Sequence, residues 1–286
     1  MKAWISDWAI TAYCLAVSAL LVVRASAVPA WWLLVLGHLA IVAIVWTLVR
    51  FDRPGIVGFL RCWDALVYVP VVFILAMLVV HRVNPNDCDE LLGRVDASIG
   101  GLALLRAMVA IETPWLTNVA KLSWMSYYPL WLLAAIPLYR RGRGAFVPLK
   151  NALVLGWLVS YLCYFAMPAV GPGNRQQELR LPQPPFEASA VSKVAKALIV
   201  AAEAPEPRHT FPSGHTIIVV IAAAYLVLHR AKPWVWIGVP LAAGVVLSTI
   251  YLRYHYVIDV LVGIAIAAGC VALTYRKAVL PLYKQP

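Results

Sequence analysis

The chain has 286 residues, of which 63% are hydrophobic and only 13% charged, and its mean hydropathy is +0.80. A water-soluble domain carries about 25% charged residues, so the composition excludes one and points to an integral membrane protein. The net charge of +11 reads as basic loops beside a membrane rather than as a nucleic-acid surface, and no RNA- or DNA-binding motif accompanies it. Five scattered cysteines (Cys14, Cys62, Cys88, Cys163 and Cys270) have no metal-type spacing, so neither a disulfide framework nor a zinc site is expected.

In chain order, apolar runs that cross or nearly cross a bilayer fall at 8–23, 29–49, 63–80, 123–139, 146–168, 213–229, 233–251 and 255–275. They predict an all-α, polytopic bundle of about eight transmembrane helices forming one domain, 1–286. The first run lacks the basic flank and cleavage site of a signal peptide and is read as a helix. Twelve Trp and thirteen Tyr suit aromatic belts, the pairs Trp31–Trp32 and Trp234/Trp236 among them.

Two long polar stretches, 81–122 and 169–212, fall on one face of such a bundle. The termini and the short connections "RFDRPGIVGFLR", "YRRGRG" and "HRAKP" fall on the other, with thirteen Lys and Arg against three Asp and Glu. The opposite face has eleven against ten. The positive-inside rule then places both termini in the cytoplasm and the long polar stretches outside. The segment 186–203 reads as an amphipathic helix at the interface or an ordinary loop helix. Asp87, Asp89, Glu90 and Asp96 read as a solvated face, with a substrate-headgroup role as the lesser reading, and Arg208 and His209 as solvated loop.

The chemistry-bearing stretches come late. Residues 210–216, "TFPSGHT", open the apolar run "IIVVIAAAYLVL". Ser213 in that place is a helix N-cap, and helix N-termini also bind anions. In "STIYLRYHYVIDVLVG" (248–263), His255 and Asp259 are four residues apart and share a helix face. An Asp in a membrane helix is expensive and marks a site. A carboxylate beside an imidazole orients the ring and stabilises its charged form; alone, the pair reads equally as a buried neutralising contact. Topology adds a third cluster, "PAVGPGNR", which brings Arg175 to the same membrane face.

"PSGH" followed by "HYVID" resembles the type 2 phosphatidic acid phosphatase (PAP2) superfamily, which also contains undecaprenyl pyrophosphate phosphatases and vanadium haloperoxidases. The PSGH motif is complete at Pro212–His215. The next motif is kept in Ser248, His255 and Asp259 and departs at Thr249, where the family has Arg; Arg253 lies nearby. The first family motif is absent, with Arg175 the nearest candidate and Arg180 the second. The "D…L…D" segment (Asp89, Leu92, Asp96) is similar to the branch with inositol phosphorylceramide and sphingomyelin synthases.

The resemblance implies a PAP2/haloperoxidase-like helix core at 146–275, with 1–145 as accessory helices and an extracytoplasmic segment. It implies a metal-independent, cofactor-free phosphatase acting on a lipid phosphate or pyrophosphate at the extracytoplasmic face of a bacterial inner membrane. His255 would be the nucleophile, Asp259 its partner and His215 the acid and base. Ser213, Gly214, Arg253 and Arg175 would bind phosphate. Transfer of a phospho-headgroup to an alcohol is the alternative reaction. A transporter is the reading from another class, weakened because the polar residues gather at one face rather than mid-bilayer. Lipids are the expected partners; neither nucleic acid nor a partner protein is expected.

Overall fold

The computed structural model describes residues 2–181, 189–202 and 208–279. Among them every regular element is helical. Six helices or helix pairs are long and apolar enough to cross a membrane: Ile5–Val23, Trp31–Arg50, Ile56–Met77, Arg143–Ala166, Trp234–Tyr251 and Val257–Tyr275. The runs expected at 123–139 and 213–229 are covered by shorter helices, so the count of eight stands at six by length and composition.

The chain begins with α1 (Ile5–Val23) packed on α2 (Trp31–Arg50). α3 (Ile56–Trp63) and α4 (Ala65–Met77) follow, meeting at Asp64. After the single turn α5 (Val80–Val83), the polar stretch folds into α6 (Asp89–Ser98) and α7 (Gly101–Ala110). α8 (Pro114–Met125) and α9 (Tyr127–Arg140) break at Ser126. α10 (Arg143–Ala166) runs through the centre of the bundle against α1, α4, α9 and α14 (Val257–Val279). A 3₁₀ turn, Pro172–Arg175, leads to α11 (Ala190–Ala202), which lies on α8. The predicted helix at 186–203 is thus present as α11; residues 186–188 and 203 lie outside the described residues. α12 (Gly214–Leu228) packs on α9, α10, α14 and α13 (Trp234–Tyr251).

Close helix contact is set by small residues, as in membrane bundles generally. A Cβ on Gly156 would meet Ile217 at 2.7 Å, and one on Gly263 would meet the Ser213 carbonyl at 3.0 Å. These glycines let α10 and α14 approach α12 and its N-terminus.

The three acids of the basic face are all paired. Asp7 holds the buried Arg61 at 2.9 Å, Asp52 binds Arg61 and Arg143, and Asp64 lies 2.6 Å from Lys150. The Trp4 ring covers the Arg61 guanidinium at 3.9 Å. Buried charges need such partners, since an unpaired one is far costlier than the pair.

The acids expected to form a solvated face divide in two. Glu90 is exposed, whereas Asp89 and Asp96 are 3% and 2% exposed. Asp89 accepts the N–H groups of Val170 and Gly171 at 2.8 and 2.9 Å and the Tyr256 hydroxyl at 3.2 Å. Asp96 accepts the Ile258 N–H at 2.9 Å, in the first turn of α14. An acid there satisfies an unpaired donor and meets the positive end of the helix dipole. α6 is therefore a clamp on the polar end of the bundle.

Candidate active site

α12 and α14 both begin at that clamped end, and their starts are tied together: the Ser213 N–H donates to the Asp259 carbonyl at 3.1 Å. Ser213 caps α12. Its fully buried hydroxyl accepts from the Thr216 N–H at 3.3 Å and the Thr216 hydroxyl at 3.0 Å, which leaves its own proton to donate. Gly214 follows with Tyr164 against it; a Cβ would come within 2.8 Å of the phenol oxygen.

The turn between α13 and α14 folds back on itself. The N–H groups of Tyr254 and His255 both donate to the Thr249 carbonyl, at 2.9 and 3.1 Å. Arg253 sits at the bend with φ +63, a left-handed conformation that a non-glycine residue adopts only when its surroundings impose it. Thr249 is fully buried, and its hydroxyl turns back to the Val246 carbonyl at 2.8 Å. The turn presents His255 and Asp259 to the start of α12. His255 Nδ1 lies 3.4 Å from Asp259 Oδ2, and the same oxygen accepts the Tyr256 N–H at 2.9 Å. Both side chains are buried, Asp259 fully.

The His215 and His255 rings are 5.8 Å apart, centroid to centroid. His215 is half-buried between Tyr127 at 4.5 Å and Trp124 at 5.5 Å. The sequence signal for these rings is the run "SWMSYYPLW" (123–131), whose aromatics recur at helical spacing. His209 is packed beside the Phe73 and Tyr164 rings, at 5.6 and 5.9 Å, rather than solvated. Burial pushes its imidazole down to about 4, and the nearby His255 adds to the effect; His209 is uncharged at neutral pH.

The structure therefore brings His215, His255, Asp259, Ser213 and Gly214 together. The two arginines stand differently. Arg253 is 2% exposed, and its guanidinium binds both oxygens of Glu112, at 2.7 and 2.8 Å. Burial holds the Glu112 carboxyl above the ordinary glutamate range, although Arg253 pulls the other way. Nothing local marks Glu112, which lies in the connection between α7 and α8, 141 positions before Arg253. Arg175 donates through Nε to Glu178 at 2.8 Å. Its loop is stitched to the same bend: the Gly173 N–H donates to the Arg253 carbonyl at 2.8 Å, and a Cβ on Gly173 would strike that oxygen. Gly171 has φ +84 and lies against Thr210 and the Tyr254 carbonyl. The glycines of "GPGNR" are there for close approach.

Chemically, the arrangement offers two imidazoles 5.8 Å apart, one with a carboxylate 3.4 Å away, beside two helix N-termini. A cavity of about 460 Å³ begins at Gly214 and His215 and runs into the bundle. No curated protein and no solved structure matches the chain. The model of the PAP2 superfamily matches residues 90–273, the segment from α6 into α14 that carries the whole arrangement, and the chain belongs to that superfamily.

Proposed function

We propose that this protein is a membrane lipid phosphatase that works through a phosphohistidine. The observation that carries the reading is the His215–His255–Asp259 geometry beside an apolar cavity that His215 lines: rings 5.8 Å apart, a carboxylate 3.4 Å from one of them. His255 Nε2, on the ring edge away from Asp259, attacks phosphorus and the bond to the lipid oxygen breaks. His215 gives its proton to the leaving alkoxide. It then takes one from water, which attacks the phosphohistidine and releases phosphate. Such proton transfer contributes about 10²–10⁴-fold. The Gly214 N–H, the Ser213 hydroxyl and Arg253 stabilise the phosphoryl oxygens, the largest class of contribution in phosphoryl transfer.

The decisive experiment offers the purified protein a panel of lipid mono- and pyrophosphates, with and without acceptor alcohols. Free phosphate without an acceptor supports hydrolysis; a phosphodiester formed only with an acceptor would replace it with transfer. The loop charges support a site on the extracytoplasmic side, with both termini inside. A cysteine placed at the exposed Gln177 is expected to react with an impermeant thiol reagent in intact cells. Reaction only after lysis would invert the topology.

Glu112 competes with phosphate for Arg253. Glu112→Gln keeps the shape and removes the charge; it is expected to tighten competitive inhibition by inorganic phosphate about tenfold. Arg253→Lys keeps a charge but loses the planar fork, and kcat/KM is expected to fall about 10²-fold. If both values stay at wild type, Arg253 serves only to shape the turn.

A further inference from the structure

Along α10, Phe146, Leu149, Leu153, Trp157, Ser160 and Tyr164 recur every three or four residues and form one stripe over nearly the whole helix. The stripe is one wall of the cavity that starts at His215. From Phe146 to Tyr164 the helix rises about 27 Å, at 1.5 Å per residue. The hydrocarbon of a bilayer is about 30 Å thick, and an acyl chain confined to its own leaflet reaches about half of that. From the Lys150 level to Tyr164 the lined stretch is about 21 Å, so the lining runs further along α10 than one leaflet is thick.

Its two ends differ. The mouth has the imidazoles of His215 and His209; the floor has Lys150 and Trp63. Lys150 is 3% exposed, lies 2.6 Å from Asp64 and donates to the Arg61 carbonyl at 2.6 Å. Between the ends the lining is apolar and aromatic, and Lys150 is its one Lys, Arg, Asp or Glu among the described residues. α4 and α9 line the slot from either side and both pack on α10, and Leu66 and Ile74 of α4 and Tyr128 of α9 line it while remaining exposed. A slot edged by exposed residues is open for a chain to enter sideways from lipid. At the floor the Trp63 and Tyr139 rings meet, 5.3 Å apart.

We propose that this slot holds one hydrocarbon chain of the substrate lengthwise through the protein, and that the Lys150–Asp64 pair is the floor that sets the longest chain accepted. The proposal rests on His215 marking the reaction centre. A chain end that reached the floor would have to part a buried ion pair to go further, which costs far more than a few buried methylenes return. The substrate class is then a lipid phosphate carrying one chain longer than a leaflet is thick, saturated or isoprenoid.

The test uses octyl, eicosanyl and geranylgeranyl phosphates, plus an eicosanyl phosphate with a diazirine at the chain end. kcat/KM is expected to be at least about tenfold higher for one or both long probes than for octyl phosphate, since each buried methylene contributes. Whichever long probe gains more identifies the chain chemistry. Leu153→Trp fills the slot halfway, and Leu153→Ala widens it in case the first variant fails to fold. The long-to-short ratio should collapse toward one in the former and change at least about threefold in the latter. Photo-adducts should fall on α3, the start of α4 and the first half of α10. An unchanged ratio in the variant that folds, or adducts on outward residues such as Leu162, overturns the slot. If no probe releases phosphate from the wild type, the phosphatase reading has failed, and the adduct positions alone decide the slot.

Discussion

His255→Ala is expected to lower phosphate release by at least about 10⁴-fold, because the residue that would carry the phosphoryl group is gone and a nearby water cannot replace a covalent route. The substitution also removes a buried ring beside Asp259 and the half-buried His215. His255→Gln is therefore the control, since it fills most of the space and cannot form the intermediate. Both should lose turnover, and His255→Gln should unfold near the wild-type temperature. A brief reaction with ³²P-labelled substrate, stopped with alkali, should leave an acid-labile label on the wild type and none on either variant. His215→Ala should behave differently: attack by His255 remains possible, but the leaving oxygen and the incoming water lose their proton carrier. The label should form slowly and persist. Full activity in His255→Gln would end the phosphohistidine mechanism.

What the sequence discloses about this site is what lies within a helix turn or at a helix start. The four-residue spacing of His255 and Asp259 survives directly as a 3.4 Å contact, because i and i+4 share a face whatever else the chain does. The cap at Ser213 is local for the same reason. Counting spans also put α12 and α14 starts on one face, which is how two motifs forty residues apart meet. Pairings between distant segments left no such trace. Glu112 reaches Arg253 from another connection, and Asp89 and Asp96 looked solvated because their partners are backbone N–H groups of residues far along the chain. Lys150 lies inside an apolar run, and its neutraliser Asp64 sits at the kink between α3 and α4. Hydropathy shows that such a charge is present and expensive, not what cancels it. The shortened spans are local: Ser126 breaks the run 123–139 into α8 and α9, and α12 is 15 residues long, between its Ser213 cap and His229.

Asp259→Asn is the sharper test of how the site works, because it separates the carboxylate's charge from its geometry. Asp259 Oδ2 accepts the Tyr256 N–H at 2.9 Å and lies 3.4 Å from His255 Nδ1, while Oδ1 is buried without a hydrogen-bond partner. An asparagine can keep its carbonyl oxygen in the Oδ2 position and turn its NH₂ into the empty one. The α14 cap then survives and the ring stays in place, but nothing balances the positive charge that His255 acquires when it binds the phosphoryl group. The expected result is a fall in kcat of about 10³–10⁴-fold with little change in KM, the pattern of an interaction made only as charge develops. Asp259→Ala should lose the same activity and, in addition, the cap, seen as a lower unfolding temperature. Combining Asp259→Asn with His255→Ala should cost no more than His255→Ala alone, because the two groups act as a unit. If Asp259→Asn instead keeps kcat within about threefold of wild type while Asp259→Ala is destabilised, the carboxylate is a helix cap alone, and the imidazole it faces works without it.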